Sequence, residues 1–184
     1  MQAFIAVAEV SLILTQRDPT SPLAKLVASI FVLPGGDPRR LRLTMLHVIA
    51  GTMMSIGGLV RVIAFKSLGK YFTFQVGIQS DQNLITSGLY SIVRHPSYAA
   101  MLFTQPGVVL WSLTPGSWVR ECGILNSRWG AVLCTIVALR ILVVVYVIPF
   151  GRMPEEDKML KKKFGKEWEE WAARVRYRLI PGVY

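Results

Sequence analysis

Two short polar clusters hold most of the residues in this chain that could do chemistry. The first, Arg94-His95-Pro96-Ser97-Tyr98 with Tyr90 just ahead of it, opens an apolar run. The second, Arg152 followed by Glu155, Glu156 and Asp157, comes directly after another. Charged side chains are costly at membrane depth, so they gather where something must be bound or converted. An arginine's planar fork makes two bonds to a carboxylate at once, and a nearby glutamate can hold that fork in place. If one helix ran through the second cluster, Arg152 and Glu156 would share a face. Pro154 equally suits the first turn of a new helix. Pro96 at a first helical position leaves the preceding amides open to an anion or carboxylate. Plainer uses stand beside these. Arg94 reads best as a topology anchor, His95 reads equally as a ligand or a capping partner, and the acids at 155–157 suit the positive end of a helix. Taken together, the clusters suit recognition of an acidic group at a membrane surface. Nothing in the order or spacing points to a nucleophile–base triad, a phosphate loop or a zinc site. Cys122 and Cys134 are too few for a metal centre and read as free thiols without a role.

The elements that must position these clusters are helices. The chain has 184 residues, 52% of them hydrophobic, with a net charge of +10 and a mean hydropathy of +0.42. The basic excess lies beside apolar runs, at Arg39, Arg40 and Arg42, at Arg61, Lys66 and Lys70, and in the tail after Lys158. That placement favours a lipid bilayer with basic loops on its cytosolic side over nucleic acid. Residues 44–65 and 130–150 are long and apolar enough to cross a bilayer. Residues 98–113 read as a shorter span kinked at Pro106. In the first span Gly51, Ser55, Gly57 and Gly58 allow close packing, and Arg61 can snorkel. His47 reads as bonding a neighbouring helix from mid-span. Arg140, buried in the last span, has Glu9 as a candidate partner.

Residues 1–14 and 22–33 predict a helical hairpin turned at Arg17-Asp18-Pro19-Thr20, or alternatively a helix cut short at Met1. No basic region precedes the first apolar stretch, so it does not read as a cleaved signal peptide. A weak β-like alternation runs over 71–78. Pro154, three acids, Lys161–Lys163 and Gly165 predict one tail helix. Residues 166–178 predict a second, with Trp168, Trp171, Ala172 and Val175 on one stripe. That stripe could lie on the membrane or pack on the domain. The fold class is therefore all-α, a polytopic helical integral membrane protein with C-terminal cytosolic helices. It reads as a single domain, with an N-terminal helical region over 1–43 and a core over 44–184.

Leu84-Ile-Thr-Ser-Gly-Leu-Tyr90, Arg94-His-Pro-Ser-Tyr98, Arg152 with Glu155-Glu156, Phe164-Gly-Lys-Glu-Trp168 and Val175 through Ile180-Pro181 follow one another in a specific order. With that order the chain resembles the isoprenylcysteine carboxyl methyltransferase family, within the membrane phospholipid and isoprenylcysteine methyltransferase superfamily. The resemblance implies an endoplasmic reticulum membrane enzyme that uses S-adenosylmethionine, with its active site facing the cytosol. It implies methylation of the C-terminal carboxylate of prenylated proteins or prenylcysteine. It also implies that Gln75, Gln82, Asn83, Leu84, Ile85, Tyr90, His95, Pro96, Ser97 and Tyr98 line the cofactor, and that Arg152 and Glu156 face the acceptor and act in catalysis. Methylation of an amine headgroup such as phosphatidylethanolamine is the rival enzymatic reading. An isoprenoid or sterol reductase and an inactive membrane homologue follow behind it. An arginine at the acceptor site favours a carboxylate over an amine.

Overall fold

The computed structural model describes residues 2–71 and 81–183, and among the described residues every regular element is helical. The elements are α1 (Gln2–Thr15), α2 (Pro22–Phe31), α3 (Met45–Leu68), α4 (Pro96–Leu113), α5 (Trp118–Glu121), α6 (Arg128–Leu142), α7 (Met153–Phe164) and α8 (Lys166–Arg174). The chain divides into two compact units, Met1–Met53 with Pro106–Leu139, and Met54–Gln105 with Arg140–Tyr184.

The first unit contains the predicted hairpin. Ser21 caps α2 by accepting from the Ala24 amide, and Pro22 occupies its first turn. Ile5, Ala8 and Leu12, spaced three and four apart on α1, bury one stripe against Leu41, Trp118, Val119 and Ile124. Glu9 sits beside that stripe and is buried, yet it does not meet Arg140. Its carboxylate accepts from the Trp111 indole and the Trp118 amide, both at 2.9 Å, while Arg140 donates to Gln105 at 3.0 Å. His47 lies in the first turn of α3, not at mid-span; its Nδ1 bonds Thr44 locally at 2.9 Å, while its ring meets Trp111 of α4 edge-on with centroids 5.1 Å apart.

Among the described residues, two helical stretches are long and apolar enough to cross a membrane, Met45–Tyr71 and Arg128–Phe164. At 24 residues α3 measures about 36 Å, more than the roughly 30 Å of hydrocarbon it must cross. Leu59, Val62 and Ile63 on α3, and Leu139, Leu142 and Val145 further on, stay exposed, as lipid-facing residues do. Of the small residues read as packing points, Gly57 is one. A methyl group there would strike the Ala100 carbonyl and Thr104, so α3 and α4 approach closely at that level. Pro106 lies inside α4, which runs on through it.

The last span does not stop at Phe150. A π-helical stretch, Val143–Arg152, joins α6 to α7 without a break, and Arg152 has ordinary helical dihedrals (φ −68°, ψ −43°). Pro149, which has no amide hydrogen to donate, falls within the widened stretch. The second tail helix ends at Arg174, four residues sooner than its stripe predicted. Trp171 and Val175 are buried against Ala64 and Tyr90, so the stripe packs on the protein and does not lie on a membrane surface.

Candidate functional site

All of the site lies in the second unit. Its floor is the start of α4. Pro96 fixes the first turn, and the two amides before it are already used: Arg94 donates to the Tyr177 carbonyl and His95 to that of Arg178, each at 2.9 Å. The expectation that these amides stand open to an anion is therefore corrected. They fasten the chain's final segment to the helix start.

One wall is α7. Met153 and Asp157 are buried and four apart, with half-buried Leu160 next in phase, so this is the inward face. Met153 packs with Ile148, Leu179, Tyr98 and Met101. Because the helix continues through Pro154, Arg152 and Glu156 do share a face, on the flank of that inward stripe. Both are half-buried.

The two clusters meet. The Tyr98 hydroxyl donates to the Glu156 carboxylate at 3.1 Å. The His95 ring stacks on Tyr98 with centroids 5.7 Å apart. Its Nε2 lies 3.1 Å from Asp157 Oδ1 and its Nδ1 3.8 Å from Glu156 Oε2. A carboxylate at pH 7 only accepts, so the close contact makes Nε2 the protonated nitrogen.

Arg94 is not a surface anchor. Its side chain is only 10% exposed, it pairs with Asp157 at 3.3 Å, and it lies over the Trp168 ring at 5.7 Å. Arg178 completes the group, 3.5 Å from the same Asp157 oxygen. Sequence reasoning gave no site role to Asp157, Arg178 or Trp168. The signal for Asp157 was an acid spaced four from Met153 and three from Leu160 on an amphipathic helix.

The other expected cofactor residues fall into three groups. Tyr90 is buried. Its backbone carbonyl accepts from the Trp171 indole at 3.0 Å, and burial pushes its phenol well above the ordinary value, so it stays neutral. Leu84 and Ile85 pack into the Tyr90–Trp171 cluster. Gln82 and Ser97 are half-buried, Asn83 is exposed and Pro96 is fully buried. Gln75 and most of the β-like run lie outside the described residues. The segment that carries them is bracketed by a pairing of Lys70 with Asp81 at 2.5 Å and a bond from the Tyr71 hydroxyl to the Asp81 carbonyl at 3.0 Å.

The side chains gathered here suit an aromatic-bearing cofactor more than a metal ion. Two carboxylates and four aromatic or imidazole rings converge, and the buried Trp168 N–H has no hydrogen-bond partner among the described residues. No group of three metal-ligating side chains occurs among them.

Comparison with known proteins bears on the family. Residues 49–118 match the model of the isoprenylcysteine carboxyl methyltransferase (ICMT) family. A protein-S-isoprenylcysteine O-methyltransferase B of Arabidopsis thaliana is 32% identical over 126 residues, 67% of this chain and 54% of that protein. A probable protein-S-isoprenylcysteine O-methyltransferase of Oryza sativa subsp. indica is 31% identical over 125 residues, 67% of this chain and 55% of that one. A delta(14)-sterol reductase of Mus musculus is 29% identical over 110 residues but shares only 21% of its own length. The chain spans about half the length of the methyltransferases it matches. The motif order, the all-helical fold and these similarities together place it in the isoprenylcysteine carboxyl methyltransferase family.

Proposed function

We propose that this chain methylates the C-terminal carboxylate of prenylated cysteine, using S-adenosylmethionine, at the cytosolic face of the endoplasmic reticulum membrane. The observation that carries the reading is the bond from Tyr98 to Glu156, one helical turn from Arg152. It ties the expected cofactor motif to the expected acceptor motif. When bound, S-adenosylmethionine supplies a methyl carbon on a positively charged sulfur, and transfer to a carboxylate needs no proton removed. The acceptor carboxylate is already ionised at pH 7, so the residues need not act as a strong base. Their work is alignment and exclusion of water, which can supply up to about 7–11 kcal/mol.

Arg152 fixes the acceptor carboxylate with its fork. Glu156 holds the arginine and tempers its charge, so that the acceptor oxygen keeps its nucleophilicity. Tyr98 fixes Glu156 in turn, and His95 stacks on Tyr98. His95, Tyr90, Tyr98 and Trp168 give the cofactor an aromatic and polar lining, with backbone from 82–85. The prenyl chain stays in the apolar phase beside the lipid-exposed helices. This division suits a substrate that is half hydrocarbon and half salt.

Purified protein in detergent should transfer labelled methyl to N-acetyl-S-farnesylcysteine. Arg152→Ala should raise the acceptor KM roughly 10- to 100-fold, the worth of a charged hydrogen bond. His95→Ala and Tyr98→Ala should weaken cofactor binding instead. Activity on phosphatidylethanolamine in place of the prenylcysteine would replace the substrate assignment with the amine reading. Equal cofactor affinity in all three variants would remove the division of roles.

A further inference from the structure

A second polar site stands in the first unit, apart from the residues assigned to methyl transfer. Residues 37–42 run in just ahead of α3. Asp37 caps a 3₁₀ turn, Pro38–Arg40, by accepting from the Arg39 amide. Leu41 is buried in the core that holds Trp118, and this turns Arg40 and Arg42 outward on either side of it. The facing wall is fixed by backbone. The Arg42 amide donates to the Gly116 carbonyl at 3.2 Å, and the Asp37 amide to that of Glu121 at 2.8 Å. Gly116 has φ +97°, and a side chain there would collide with the Arg42 carbonyl, so only glycine allows the approach. Between the walls lies a cavity of about 330 Å³ lined by Arg39, Arg40, Arg42, Gly116 and Glu121.

Three guanidinium groups face one carboxylate there. Asp37 pairs with Arg40 at 3.4 Å. Among the described residues, neither Arg39 nor Arg42 has a carboxylate within ion-pair distance. Glu121 gives one oxygen to the Gly116 amide at 3.0 Å. The cavity therefore carries surplus positive charge. Directly after it come Leu43 and Met45, 70% and 73% exposed, at the foot of a helix long enough to cross the bilayer. A polyanion free in water has no use for that apolar flank. A lipid uses both parts.

We propose that the Arg39–Arg40–Arg42 cavity binds the phosphate headgroup of an anionic membrane lipid, with the acyl chains lying along Leu43, Met45 and the start of α3. Guanidinium forks match phosphate oxygens two at a time, and the bound lipid would anchor the foot of α3 at the interface.

The test is lipid retention by the full chain in detergent micelles, titrated with phosphatidylglycerol and with phosphatidylcholine and read by native mass spectrometry. The intact protein should prefer phosphatidylglycerol. R39Q/R42Q should weaken its retention by about tenfold or more. K158Q/K162Q, which removes the same charge from exposed positions on α7, should change it by no more than about twofold. Millimolar inorganic phosphate should not displace the lipid. Should the double variant fail to fold, the single exposed change R39E carries the same expectation. Three results overturn the proposal: undiminished phosphatidylglycerol retention in R39Q/R42Q or R39E, equal losses in both double variants, and displacement by free phosphate with no preference between the lipids.

Discussion

Two buried carboxylates, Glu9 in the first unit and Asp157 in the second, are equally hidden from solvent yet held in opposite ways. Glu9 accepts from an indole N–H and a backbone N–H, both neutral and both at 2.9 Å. Asp157 faces His95 at 3.1 Å, Arg94 at 3.3 Å and Arg178 at 3.5 Å, all of them cationic or able to become so. Glu9 joins α1 to Trp111 and Trp118, and its partners have no other chemistry to offer. Asp157 instead fixes the position of three groups around a site, and each of those groups can still act on a ligand. Burial alone does not mark a functional acid; the charge of its partners does.

The contrast sets the largest expected effect. Asp157→Ala removes the carboxylate that Arg94, Arg178 and His95 share, and breaking such a buried pair costs about 3–5 kcal/mol. The denaturation midpoint in detergent should fall accordingly, and methyl transfer should be lost. Asp157→Asn keeps the shape and an acceptor oxygen, so its stability loss should be smaller. If Asp157→Ala is as stable as the parent, the charged cluster is not an energetic centre and the contrast with Glu9 collapses.

How much of this could be read in the sequence follows the same division. Contacts set by local periodicity were legible. The α1–α2 hairpin, the two long spans and α7 with its charged ends follow from apolar runs, capping residues and charge placement. The shared face of Arg152 and Glu156 follows too, once the helix is known to continue. What the sequence concealed depended on distant backbone. Asp157 looks like one of three adjacent acids, and only helix phase relative to Met153 turns it inward. Arg94 reads as an anchor until Tyr177 and Arg178 return to meet it, more than eighty residues along the chain. The π-helical stretch left no trace in a uniform Val/Ile run beyond Pro149. Glu9 went to the wrong partner because a buried acid suggested an arginine, and two tryptophan donors satisfied it first.

Glu9→Gln sharpens the comparison from the other side. The amide keeps one acceptor oxygen and turns its NH₂ toward an N–H donor, leaving one buried donor unsatisfied. That costs about 1–3 kcal/mol. Stability should drop by that much while kcat per folded molecule stays unchanged. A loss of kcat at full stability would mean that the neutral clamp serves the reaction after all.

Tyr98→Phe is a smaller perturbation within the charged cluster. It removes one hydrogen bond to Glu156 and leaves the His95 stacking in place, a change worth about 1 kcal/mol. Cofactor affinity should fall roughly three- to tenfold, with little change in the unfolding midpoint. A larger fall in stability than in affinity would make the tyrosine a packing residue.

The smallest effect belongs to Cys122, in the same core as Glu9. Burial, with Glu121, Glu9 and Asp37 nearby, pushes its thiol up to about 12, so at pH 8 only about one molecule in ten thousand carries the reactive thiolate. In a Cys134→Ser background the folded protein should resist maleimide almost completely. Labelling then reports only opening of the Trp118 core, and its rate should rise about tenfold for each 1.4 kcal/mol of lost local stability. Glu9→Gln should accelerate it by that measure, because the clamp it weakens holds the same core. Asp157→Ala should accelerate it less for the same loss of global stability, since its cluster supports a different set of side chains. Equal acceleration by both variants would mean that the two carboxylates hold one cooperative structure, and the distinction between them would then be chemical only.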